Sequence, residues 1–143
     1  MKKYHFVIAV GMLWLACLDA GEWKKNGNTV TDSASALMWQ DDMNVQFIAK
    51  SWKDADGYCR SLDLDGHKDW RLPSLEELLT IVDYAKSSPA IEASFAYSAF
   101  EYYWSASAYS LDKNYAWAVR FSDGYTGKSD INFDNNVRCV RGQ

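Results

Sequence analysis

Histidine is nearly missing from this sequence. The 143 residues hold two. His5 falls in an N-terminal run set aside below, so His67 alone is left for acid–base or metal chemistry. A single imidazole beside Gly66 supplies a surface residue more readily than a catalyst. Cysteine is scarce as well, three in all, which leaves no Cys cluster to hold a metal. No Lys/Arg run stands out, and acidic side chains outnumber basic ones 19 to 15. Nucleic acid and other polyanions are poor partners for such a surface. Internal repeats, low-complexity linkers and a second domain are also absent. The apolar run Phe6–Leu15 is too short for a stable bilayer anchor.

That run has a different use. Met1-Lys2-Lys3 places positive charge ahead of it, the pattern of an export leader. Two endings compete. Leu18-Asp19-Ala20 before Gly21 ends in a small residue and suits plain cleavage, giving a leader over 1–20 and a domain over 21–143. Leu15-Ala16-Cys17 resembles a bacterial lipoprotein box, although Trp14 stands where an aliphatic residue is expected. The first ending gives a periplasmic or secreted protein. The second gives an outer-membrane lipoprotein, with membrane attachment only through a lipidated Cys17. Without Lys2, Lys3 and Asp19 the chain keeps 13 basic and 18 acidic side chains, a balance of −5. Cys59 and Cys139 then form an even pair. In an exported chain that reads as a disulfide, against the alternative of two unrelated buried thiols.

Aromatic residues make up 15% of the chain, with seven Trp and nine Tyr, far too many for a disordered segment. Their spacing suggests an α+β plan. Gly27-Asn28 marks a turn before a strand at Thr29–Thr31, and a second strand is expected over Ala36–Gln40. Ser51 and Asp54 have capping-box spacing. Trp52, Ala55, Cys59 and Leu62 follow on one helical face. Ser74 and Glu77 form a second capping box behind Pro73, with Leu75, Leu78, Leu79 and Val82 as the buried stripe. After Tyr102 the period changes to 2. Tyr115, Trp117, Val119 and Phe121 are expected on the apolar face, alternating with Ala116, Ala118, Arg120 and Ser122. Asp123-Gly124 is a hairpin dipeptide. A last strand, Asn136–Arg141, carries Cys139. Strands, two helices and strands again form the order of elements.

The segments TVTDSASALMWQ, SWKDADGYCRSL, DWRLPSLEELLTIVDY, YYWSASAY, YAWAVRFSDG and VRCVRG together resemble the DUF1566 family, also described as the C-terminal domain of the Legionella collagen-like adhesin. The likeness covers roughly residues 26–142. Ser35-Ala36-Leu37 departs from the family's Thr-Gly-Leu. The resemblance implies a C-type-lectin-like fold of the variant shared with formylglycine-generating enzymes. Two helices would flank mainly antiparallel sheets with long loops, the chain ends would meet in one sheet, and a disulfide would tie the first helix to the last strand. It also makes Trp70, Arg71, Pro73, Trp104 and Trp117 structural residues, with Trp70 and Leu72 in the core and Arg71 paired to a carboxylate or to backbone carbonyls. The copper-binding cysteine pair of the formylglycine-generating enzymes has no counterpart here.

Function is expected in the last third. Tyr109, Asp112, Asn114, Arg120, Tyr125, Lys128, Asp130, Asn132 and Asp134 mix rings with short polar groups, which suits a recognition surface. The segment also resembles the variable region of diversified lectin-fold proteins. Tyr115 could be core rather than surface, and Asp123 only a turn residue. No cofactor is implied. Calcium is the lesser alternative: Glu-Pro-Asn and Gln-Pro-Asp motifs are absent, leaving Asp63, Asp65 and Asp69 around Gly66, and Asp130, Asn132 and Asp134. The second set lacks the Gly and the Glu of an EF-hand loop. The reading is an exported, non-enzymatic domain that recognises a glycan or a surface or envelope protein. An enzyme on the formylglycine-generating fold, or a structural subunit of an envelope complex, are the alternatives.

Overall fold

The computed structural model describes residues 21–143; the expected leader and Cys17 lie outside them. Within these residues the fold is α+β, built on two sheets. The first sheet holds β1 (Trp23–Asn26), β2 (Thr29–Asp32), β3 (Leu37–Gln40) and β9 (Val140–Gly142), all antiparallel in that order. Early and late strands therefore share one sheet, as the resemblance implied. Gly27 turns the chain between β1 and β2 at φ +59°, close against the Asp65 carboxylate. Between β2 and β3, Ala36 adopts φ +54°, a left-handed conformation costly for any residue with a Cβ. This is the position where the family pattern has Gly. The turn survives because Asp32 accepts bonds from Ala34 N, Ser35 N and Ser35 Oγ. The expected strand at Ala36 accordingly starts one residue later.

The second sheet holds β4 (Ala49–Lys50), β5 (Tyr102–Ala108), β6 (Tyr115–Arg120), β7 (Tyr125–Asp130) and β8 (Asn135–Asn136), ordered β4-β8-β5-β6-β7. Its pairs are antiparallel except β5 with β8. Helices α2 (Trp52–Ser61) and α3 (Leu75–Thr80) are the two expected ones. Ser51 Oγ accepts from Asp54 N at the start of α2. Ser74 and Glu77 complete a reciprocal capping box at the start of α3. A third helix, α1 (Asn44–Phe47), was not foreseen; four residues with no side-chain cap leave no periodic signal.

Neighbouring residues of a strand point to opposite faces, and both faces of the second sheet are covered. Tyr103 and Val119, paired across β5 and β6, join one core with Trp39, Leu78, Ile81 and Phe121. Trp104 and Ala118, the next pair, join the other with Ala55, Cys59, Trp70 and Leu72. This corrects the expected pattern of β6. Ala116 and Ala118 are fully buried, while Tyr115 and Trp117 are half-buried. Two small residues there give α2 room to approach the sheet.

The expected last strand is also two pieces. β8 pairs with β4 in the second sheet and β9 with β3 in the first. Val137–Cys139 carry the chain from one sheet to the other. Within that crossing Cys139 bonds Cys59 at an S–S distance of 2.07 Å, closing a separation of 80 residues.

Candidate functional site

Trp70-Arg71-Leu72-Pro73 is a corner of the fold. Trp70, Leu72 and Pro73 are buried, and Pro73 precedes the N-cap of α3. The backbone of Arg71 exchanges two hydrogen bonds with Val140, both 2.9 Å, so the segment is stitched to β9. The guanidinium makes a fork with Glu77: Nη1 donates to Oε1 at 2.6 Å and Nη2 to Oε2 at 2.7 Å. That fork, with the N–H of Ser74, holds the Glu77 carboxyl below its usual range and raises Arg71. The pair is not buried, since 46% of the Arg71 side chain is exposed. His67 belongs to the same corner. Its backbone pairs with Leu64, its carbonyl accepts from Trp70 Nε1, and its ring packs edge-on against Trp70.

The candidate ligand residues fall into two groups. β6 and β7 pair with Trp117 opposite Lys128 and Arg120 opposite Tyr125. Alternation places Lys128 on one face of the sheet and Tyr125 on the other. On the first, Lys128 Nζ lies 4.8 Å from the Tyr109 ring centre and 4.6 Å from that of Tyr115. Tyr109 meets Trp117 edge-on at 5.2 Å. Lys128 has no carboxylate partner among the described residues, so two rings hold its charge in place. On the second, Arg120 lies over the rings of Tyr102 and Tyr125. It grips Asp123 through Nε at 3.1 Å and Nη2 at 2.6 Å. These bonds and the Tyr125 N–H lower the Asp123 carboxyl to about 2. Asp123 is thus more than a turn residue: it neutralises the arginine.

The short polar residues close local turns. Asp112 accepts from the N–H of Asn114, and Asp130 from the N–H and Nδ2 of Asn132. Asp134 is exposed beyond them. A cleft of about 350 Å³ lies along β7, lined by Tyr115, Lys128 and Asp130 together with Tyr102, Ser129, Phe133 and Asn135. The last four were not among the expected site residues. Tyr102 could have been found only by knowing that β5 pairs it with Arg120.

The oxygen-rich corner around Gly66 is divided among separate partners. Asp65 accepts from the N–H and Nδ2 of Asn28, Asp63 pairs with Lys68, and Asp69 accepts from Arg141 Nε at 2.6 Å. Bonding to Asn28 lowers the Asp65 carboxyl, and the Arg141 guanidinium lowers that of Asp69. Among the described residues no group of three His, Cys, Asp or Glu is placed to hold a metal ion.

Sequence reasoning also missed a buried charge. Arg138, inside the crossing segment, is fully buried with Asp41. Its Nη1 donates to the Gln40 carbonyl at 2.7 Å and to Asp41 Oδ1 at 3.2 Å, and Nη2 donates to the Tyr97 carbonyl. Asp41 also accepts from Lys25 Nζ, Ala96 N and Tyr97 N. This network joins β3, the segment before β5 and the crossing.

Compared with known proteins, residues 28–141 match a family model described as the Lcl C-terminal domain. No curated protein matches the chain.

Proposed function

We propose an adhesion or ligand-binding role from one premise: the chain belongs to the Lcl C-terminal domain family. It is an exported, non-enzymatic domain that recognises a glycan or a protein at a cell surface. The Cys59–Cys139 bridge fits an oxidising compartment. Two mainly antiparallel sheets, with early and late strands joined in one, support the C-type-lectin-like architecture. Recognition uses β5 to β7, where the Tyr109–Lys128–Tyr115 arrangement carries the proposal. Two rings and a cation with no carboxylate partner among the described residues, beside a cleft, offer stacking area and a charged anchor with little side-chain entropy left to lose. The site needs no metal.

The test is a glycan array and an envelope-protein pull-down on the exported chain, repeated with Tyr109→Ala and Lys128→Glu. Lys128→Glu should melt as the parent does, and Tyr109→Ala slightly lower, because its ring packs on Trp117. Each should weaken the captured ligand about tenfold or more, because a few central contacts dominate such surfaces. EDTA should leave binding unchanged. Retained affinity in both variants would move the site elsewhere on the domain.

A further inference from the structure

A second groove, sharing no lining residue with the β7 cleft, lies between α2 and the end of β5. Its volume is about 560 Å³, within the usual range of small-ligand sites. Trp52, Leu72, Ala106 and Ile131 supply its apolar lining. Trp52 is fixed at two points: its backbone N–H donates to the Ile131 carbonyl at 3.0 Å, and its Nε1 to the Ser105 carbonyl at 2.8 Å. The one polar atom of the indole is therefore satisfied, and the ring offers only apolar surface. A platform held this way is ready before a ligand arrives.

Charge is confined to the helix side. Lys53, Asp56 and Arg60 line it. Arg60 Nε binds Asp56 at 2.7 Å, so those two cancel. Lys53 is exposed and has no carboxylate partner among the described residues. The rim thus carries a net positive charge on a chain of net charge −4. A sugar would need polar partners on both sides, and among the described residues the side facing α2 offers only Leu72, Ala106 and Ile131. A cationic ligand would face Lys53, while Asp56, the carboxylate among the described lining residues, is already paired.

We infer that this groove binds a small amphiphilic carboxylate, with its alkyl or aryl body against Trp52, Leu72, Ala106 and Ile131 and its head group at Lys53. The assignment is independent of the adhesion reading, since it involves neither Lys128 nor its rings. Octanoate is the probe and octylammonium the control, titrated into the isotope-labelled exported chain and followed by NMR. Octanoate should give saturable shifts at the Trp52 indole N–H and at the methyl groups of Leu72 and Ile131. Octylammonium should bind about fivefold more weakly, the scale of one exposed, solvent-screened charge at the rim. Lys53→Glu, an exposed change, should reverse the preference between the two head groups. Ala106→Trp, which fills the groove from an exposed position, should abolish binding of both while thermal melting stays the same. The inference is overturned by the absence of saturable shifts up to about 10 mM, a dissociation constant already weaker than ordinary ligand sites show. Equal binding of the two head groups, or shifts confined to the β7 cleft, would overturn it as well.

Discussion

Arg138 shows how much a single residue can decide. Its side chain is fully buried, and its Nε has no partner among the described residues. The charge is held by Asp41, by two carbonyls, and by the Phe95 and Tyr103 rings at 4.7 and 5.7 Å. Removing the guanidinium leaves Asp41 with Lys25 and two backbone N–H groups, but takes the charged donor from the buried Gln40 and Tyr97 carbonyls, at about 1–3 kcal/mol. Arg138→Met should therefore cost that much in urea denaturation, with the disulfide intact. A loss below about 1 kcal/mol, the range of exposed pairs, would mean that the network is not a keystone. In the sequence this arginine is one of two in the closing Val-Arg-Cys-Val-Arg. Its neighbour Arg141 instead reaches Asp69 near the surface. Nothing in local pattern separates the two, because burial here depends on where the chain changes sheets.

Elements with signals of their own were legible, and elements made by partners were not. Both capped helices began where Ser51 and Ser74 placed them. The short strands β4, β8 and β9 have no periodicity over two or three residues, and only pairing defines them. The face of β6 was misread for a related reason: alternation says which residues share a face, not whether the other face is also covered. The same distinction revises the expectation for Arg71. The carboxylate partner expected for Arg71 is Glu77, but their fork is half open to water and so not the buried pair that two core neighbours would imply. Arg71→Ala should cost about 1 kcal/mol after solvent screening. Glu77→Ala should cost more, since it also removes the return bond of the capping box to Ser74 N. Thermal melting of the two variants tests the order; an equal or larger loss for Arg71→Ala would restore the buried-pair reading.

At the scale of the whole molecule, acid and reduction act on different supports. Asp65, Asp69, Glu77 and Asp123 all have carboxyls lowered by hydrogen-bonding partners, Asp123 from 3.8 to about 2. The folded chain then takes up these protons at lower pH than the unfolded chain does. Stability rises with pH across that interval, is complete above the ordinary carboxylate range, and is lost as pH falls towards about 2. A urea midpoint that does not fall between those limits would contradict these pairings, and Asp123→Asn should flatten the lowest part of the curve. Reduction has no such window, because the bridge constrains the unfolded chain instead. Cys59 comes from α2, beside the second sheet, and Cys139 from the crossing that leads into β9. The bond therefore fastens the helix to the segment that carries the chain from one sheet to the other. Closing 80 residues is worth roughly 4–5 kcal/mol in the chain-entropy model. Peptide mapping of unreduced exported protein should recover the Cys59–Cys139 pair. The Cys59→Ala/Cys139→Ala double variant should lose stability of that order in urea, at every pH where the parent is folded. A loss that appears only in acid would assign the effect to the carboxylates and leave the bridge without the role argued for it.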